Sequence, residues 1–394
     1  DGNYPVGTNN VALGNTALSN VESGGQKNTA VGTNAGDAIT TGDFNVAIGT
    51  DSVGALTTGN NNVGVGVQAL YNTTGNSNIA IGTTAMNANT SGGTNVAVGN
   101  NALASNTTAS QNVAIGAFSL DANTTGATNV AVGYDALSAN TTASNNTAVG
   151  WKAGYANTTG TLTATGRTAL ENNTTGTDNT ATGRATMSQN TTGSYNTAHG
   201  ALALLSNTTA SNNTAVGYQA GYANTTGTRN NAFGAGSLYT NTTGNYNQAI
   251  GYQSLRLNTT ASFGTALGDS ALYTNTTGSA NTAVGYGSLL LNTTGANNVS
   301  IGSEAMRSNT TASNNTAVGF QASYSNTTGI QNVSVGDKSL YTATTGNYNT
   351  SVGKSSLYFN TTGSSNTALG LSALQNNTTA DYNTATGYSA GYSN

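Results

Sequence analysis

Polar and apolar residues along this chain come in short bursts that return at a fixed interval. An Asn-x-Ala-aliphatic run closes on a glycine at Gly14, Gly32, Gly49 and onward to Gly370 and Gly387, with a spacing of 17 residues and rare slips to 16 or 18. Self-similarity at such a period is the mark of a repeat architecture. Twenty-three repeats account for the 394 residues, leaving neither a linker nor a shift in composition, so residues 1–394 read as one continuous domain.

The unit from Asn281 to Asn297 is typical, and its residues are numbered here as positions 1 to 17. Position 2 is commonly Thr, Val or Ile, position 4 Val, Ile, Leu or Phe, and Ala stands between them at position 3. That two-residue alternation predicts a strand, with positions 2 and 4 expected to point inward. Positions 8 and 9 form a second short apolar stretch, as in Ala69-Leu70, Ser119-Leu120 and Ala305-Met306. Gly at position 5 and Asn-Thr-Thr-Gly/Ala at positions 12 to 15 are turn chemistry. Each repeat is therefore predicted to run strand, turn, strand, turn.

Two short strands and two turns in 17 residues suit one coil of an all-β parallel β-solenoid, or β-roll, of about 23 coils. Helical repeats need longer units and stronger helix formers. At about 4.8 Å per coil, the expectation is a rod about 110 Å long. One coil cannot bury enough apolar surface to stand alone, so Asn ladders at positions 1 and 12 and contacts between coils are expected to supply the rest. A core this thin also favours packing of chain against chain.

Composition narrows the function. With nine Lys and Arg, 13 Asp and Glu, a net charge of -4 and no Cys, the chain lacks the means for disulfides, for a thiolate metal site and for an electrostatic grip on nucleic acid. Disorder is not expected, because 36% of residues are hydrophobic and there is a single Pro. No apolar run approaches the roughly 20 residues of a membrane-spanning helix. A start at Asp1, without Met or a signal peptide, suits a processed or partial secreted product. The carboxylates fall in different repeats at different positions, which gives neither a recurrent acid–base pair nor a calcium row. His199, the one imidazole, takes a position 4 where other repeats carry Val, and is read as a substitution in the core. No catalytic residue, cofactor or metal is predicted, and the chain is read as a non-enzyme.

The segments Asn45-Val-Ala-Ile-Gly49, Asn78-Ile-Ala-Ile-Gly82 and Asn112-Val-Ala-Ile-Gly116, each followed after two residues by Ala or Ser and then Leu or Met where the repeat is regular, resemble the head repeats of trimeric autotransporter adhesins. The fuller Asn-Thr-Ala-Val-Gly-Tyr-x-Ala-Leu-x-x-Asn-Thr-Thr-Gly pattern is similar to repeats of phage and bacterial tail-fibre-type proteins. The resemblance covers nearly the whole chain. It implies a left-handed parallel β-roll with three chains about an axis and a role in attachment. Adhesin-head coils are shorter than these, and the heptad stalk, membrane-anchoring barrel and C-terminal chaperone domain of such proteins have no counterpart in this sequence.

Three surfaces are candidates for function. An Asn-Thr-Thr or Asn-Thr-Ser tripeptide, the acceptor pattern for N-glycosylation, begins at Asn72, Asn89, Asn106, Asn123, Asn140, Asn157, Asn173, Asn190, Asn207, Asn224, Asn241, Asn258, Asn275, Asn292, Asn309, Asn326, Asn360 and Asn377. These asparagines are expected on an exposed turn; the competing reading is that they are turn formers copied by duplication. Thr rows would suit ice binding if Thr-x-Thr pairs lay on one outward strand, but the Thr residues at position 2 are expected to face inward. Tyrosines gather at position 6 (Tyr134, Tyr218, Tyr252, Tyr286, Tyr388) and position 10 (Tyr71, Tyr239, Tyr273, Tyr341), as a carbohydrate-binding stripe or as ladder packing and a chain–chain contact. The expected protein is an extracellular fibre, filament, shaft or adhesin. Its expected partner is itself, as a homotrimer or an end-to-end polymer, with glycans as covalent or bound additions. The alternatives are a receptor- or glycan-binding tail fibre and, more remotely, an ice-binding solenoid.

Overall fold

The structure, a computed structural model, describes residues 7–392, and these contain no helix. Its 23 short strands, one per repeat, belong to two compact units, one ending at Tyr195 and the other beginning at Asn196. The first unit holds β1 (Val11–Leu13) to β11 (Asn179–Thr182), and the second holds β12 (Thr197–His199) to β23 (Thr384–Thr386). Each unit is a parallel β-solenoid in which equivalent positions lie opposite each other. In the second, Thr282 faces Val299, Ala283 faces Ser300 and Val284 faces Ile301; in the first, Val113, Ala114 and Ile115 face Val130, Ala131 and Val132.

The strand-turn-strand-turn expectation is corrected to one strand per coil. That strand is three residues long, or four in β10 (Leu162–Thr165) and β11. The apolar stretch around positions 8 and 9 is a continuous run of turns. A strand needs consecutive extended residues, whereas positions 7 and 9 here are left-handed: φ is 57° at Gln68 and 56° at Leu70, 61° at Gly287 and 51° at Leu289. The segment still ladders onto the next coil, because Leu289 and Leu291 donate their N–H groups to the carbonyls of Ala305 and Arg307, both at 3.0 Å.

The strand's orientation is also the reverse of the one expected. Position 3 is buried, whereas positions 2 and 4 face outward, with Ile81 and Ile301 about 40% exposed (41% and 39%). The inward side is too narrow for anything large. Position 3 holds only Ala, Ser or Gly along the chain, and a Cβ added at Gly64 would lie 2.7 Å from both Ser52 Oγ and Val53 Cγ2 of the preceding coil. His199 therefore points out of the coil and is exposed, not a core residue. The true interior of a coil consists of position 3, Ala or Ser at 8, Leu or Met at 9, and the asparagines at 1 and 12. A single large apolar side chain per coil contributes about 1.5–3 kcal/mol by burial, so polar contacts carry much of the cohesion.

Gly at position 5 is required by the backbone. At Gly285, φ is 122°, and an added Cβ would sit 2.7 Å from the carbonyl carbon and oxygen of Gly302. Gly287, two residues on, has φ 61° and nothing nearer than Glu304 Cγ at 3.8 Å. Gly285→Ala is expected to lower the unfolding free energy by about 3 kcal/mol or more, and Gly287→Ala by about 1 kcal/mol. Guanidinium denaturation of the two variants checks this contrast; equal losses would contradict it.

Candidate functional site

The Asn-Thr-Thr segment does not expose its asparagines. Seventeen of the eighteen candidates, all but Asn72, are buried. The reason lies in their amides. Asn292 Nδ2 donates to Asn275 Oδ1 of the previous coil at 2.8 Å and to the carbonyl of Gly295 at 2.9 Å, while Asn292 Oδ1 accepts from Asn309 Nδ2 at 2.7 Å. The same triad of contacts recurs from coil to coil, as at Asn123, whose Nδ2 meets Asn106 Oδ1 and Gly126 O. Thr at position 13 keeps its hydroxyl on the neighbouring backbone, as Thr293 Oγ1 does on Thr310 O at 3.0 Å, and Thr294 is exposed.

The expected ladder at position 1 is also present, and it shares an acceptor with the first. Asn281 Nδ2 crosses the coil to the same Gly295 carbonyl at 2.7 Å, and its Oδ1 accepts the backbone N–H of Asn298 at 2.9 Å. A glycan on Nδ2 of Asn292 would remove a donor from this junction and would need room that the interior lacks. A sequence signal for this burial existed: position 12 is Val21, Ile39 and Leu56 in early repeats and Ala343 in a late one, which are poor residues for an exposed turn.

Asn72 is the exception because its repeat is one residue short. Thr73 takes the ladder place there, accepting from Asn89 Nδ2 at 2.8 Å, and Asn72 is displaced to the exposed position before it. Acceptor tripeptides of another form, outside the Asn-Thr-Thr pattern, lie on the surface. Asn145, Asn212 and Asn314 at position 17, and Asn172 at position 11, each begin Asn-Asn-Thr and are exposed.

The position 10 tyrosines are stacked, and Tyr222, Tyr324 and Tyr358 belong to the same row. In the second unit the row runs Tyr222, Tyr239, Arg256, Tyr273, Leu290, Arg307, Tyr324, Tyr341 and Tyr358. Tyr222 and Tyr239 stack at 5.0 Å, Tyr324 and Tyr341 at 5.2 Å, and Tyr341 and Tyr358 at 5.0 Å, with planes within 17°. Where the row has an arginine, its guanidinium takes a ring's place: Arg256 lies 5.2 Å from Tyr239 and 6.0 Å from Tyr273. Burial pushes the Tyr341 hydroxyl above its ordinary pKa, and the neighbouring Tyr358, Tyr324 and Glu304 add to the rise. A further row at position 17 pairs Tyr246 with Phe263 at 5.2 Å, and Arg229 lies over Tyr246.

The position 6 tyrosines of the second unit behave differently. Tyr218, Tyr252, Tyr286 and Tyr388 are more than half exposed, and the first three occupy alternate coils, with Ala235 and Asp269 between them. No ring of this row stacks on another among the described contacts of the second unit. These are the aromatic groups with faces left over for something else.

Outward strand positions 2 and 4 contain no Asp, Glu, Lys or Arg in any repeat. Since both face out, Thr-x-Thr pairs do lie on the surface, at Thr163 and Thr165 and at Thr180 and Thr182. They cover two adjacent coils of the first unit, where the preceding strand already carries Val149 at position 4, and the further pair Thr384 and Thr386 in the second unit lies beside Leu369, so no long hydroxyl array forms for an ice lattice. Elsewhere the described carboxylates form no group of three that could hold a metal ion. Asp37 and Asp135 are both raised in pKa chiefly by burial, but they lie in different coils. Compared with protein-family models and with curated proteins, the chain matches none.

Glycopeptide mass spectrometry of the folded protein, made in a glycosylating secretory host, is expected to find Asn292 and Asn309 bare. Any glycan is expected at Asn72, Asn145, Asn172, Asn212 or Asn314. A glycan on Asn292 would contradict the ladder.

Proposed function

We propose that the chain is a structural fibre protein, a non-enzymatic extracellular shaft or adhesin segment whose copies pack side by side along their outward strand faces. The observation that carries this reading is the strand face at positions 2 and 4, free of Asp, Glu, Lys and Arg and built mostly of Val, Ile, Leu and Thr, with His199, Asn231, Phe233 and Gln248 interrupting it in the second unit. A contiguous exposed apolar surface marks an interaction site. A partner for it brings no charge and matches its strand spacing, and a second copy of the same chain meets both conditions. The repeat's likeness to trimeric adhesin heads supports three such copies. A low-charge, Thr-rich exterior without Cys suits a fibre exposed to the medium.

Val284→Lys with Ile301→Lys tests this reading, because both side chains point outward and neither contributes to the interior. Light scattering is expected to give a multimer for the parent and a monomer for the variant, with unchanged far-ultraviolet circular dichroism. A parent that is monomeric, or a variant of unchanged mass, would contradict side-by-side packing; the second result would favour end-to-end polymerisation. A receptor-binding fibre is the second reading, and the unstacked position 6 tyrosines favour it.

A further inference from the structure

The alternation at position 6 leaves a gap in the second unit. Over the coil that carries Ala235 and Gly236, both outward side chains at positions 6 and 7 are small or absent, whereas the coils before and after carry Tyr218-Gln219 and Tyr252-Gln253. The result is a cleft of about 120 Å³ with Ala235 and Gly236 at its base, Tyr218 and Tyr252 and the two glutamines around it, and Tyr239 and Arg256 closing the side toward position 10. The next gap in the row is filled by Asp269 and Ser270. Gly236 keeps the cleft open: a Cβ added there would already touch Gln253 Cγ at 3.5 Å.

We propose that this cleft binds one pyranose ring of an acidic glycan, the ring lying against the tyrosines and its carboxylate on Arg256. The volume fits one face of a single ring rather than a larger ligand. Tyrosine presents an apolar body with a hydroxyl tip, as a sugar ring requires. Each glutamine amide both donates and accepts, which matches the dual character of sugar hydroxyls. Arg256 fixes the sign of the ligand. It is half-buried, supported by Tyr239 and Tyr273, and forms no ion pair among the described residues, and no carboxylate lines the cleft. A guanidinium held in this way is available for a two-point bond to a carboxylate. The proposal goes beyond the fibre reading, since a shaft that binds nothing would satisfy that reading equally.

Saturation-transfer NMR and calorimetry with tetragalacturonate and 3′-sialyllactose, against maltotetraose and lactose as neutral controls, provide the test. The parent is expected to bind at least one acidic probe more tightly than its neutral control. Ala235→Tyr with Gly236→Gln copies the neighbouring coils, including the left-handed position 7 that Gln219 and Gln253 already adopt at φ 57° and 55°. It fills the cleft and is expected to weaken that binding at least tenfold while leaving the oligomer's mass unchanged. Arg256→Gln is expected to abolish the preference for the acidic sugar. If the filled variant does not fold, Gln219→Ala with Gln253→Ala carries the same expectation of weakened binding. Failure of the parent to bind either acidic probe, undiminished binding by the filled variant, or an acidic preference that survives Arg256→Gln would overturn the proposal.

Discussion

One backbone carbonyl per coil organises the interior of this protein. In most coils the oxygen at position 15 receives two side-chain amides, from the asparagine at position 1 across the coil and from the asparagine at position 12 three residues back, as Gly295 O does from Asn281 and Asn292. Each of those asparagines also reaches a neighbouring coil through its Oδ1. A buried amide left without partners costs about 1–3 kcal/mol, so the columns persist only where every coil repeats them in register. The period of 17 follows from that requirement as much as from the strand.

Places where the columns break show the same constraint from the other side. Leu162 occupies position 1 in the coil that begins β10; its N–H still donates to Asn146 Oδ1 at 2.7 Å, but it passes no amide along the column, and beside it Asn146 Nδ2 is buried without a partner. The intrusion has a use in packing: Gly154 removes the customary leucine at position 9 nearby, and a Cβ there would meet both Leu162 methyl groups at 3.3 Å. Leu162 fills volume that Gly154 gives up. Ala343 interrupts the other column, and Asn326 Oδ1 on one side of it accepts nothing. In three coils where Ser replaces Ala at position 3, it bonds within the interior to Ser at 8 or 9, as Ser300 does with Ser288 and Ser351 with Ser339 and Ser356.

Much of this was legible in the residues. The period, the parallel stacking and the two asparagine ladders followed from repetition and from turn chemistry. The direction of the strand did not, because a two-residue alternation fixes two faces without saying which is buried; the restriction of position 3 to Ala, Ser and Gly, against Gln248, Phe233 and His199 at its neighbours, held that answer. The second strand was misread because φ is invisible in composition: Leu at position 9 is left-handed, near 50°, in coil after coil, a conformation that no propensity predicts for leucine. The acceptor tripeptides misled because one pattern serves both a surface sugar and an internal ladder. The aromatic rows are legible in part from their spacing, whereas the stacking, with Arg256 standing in for a ring, depends on side-chain orientations that spacing does not fix.

With the amides turned inward, the exterior is free to vary, and it divides into a charge-free strand face, stacked aromatic rows and one gap between tyrosines. All three depend on the interior columns for their spacing. The most direct test is side-chain amide exchange by NMR on protein labelled at asparagine. The columns predict two populations, in which the amides of positions 1 and 12 exchange as slowly as the backbone amides of the strands and those of outward asparagines such as Asn145 and Asn212 exchange freely. A single fast-exchanging population would contradict the account.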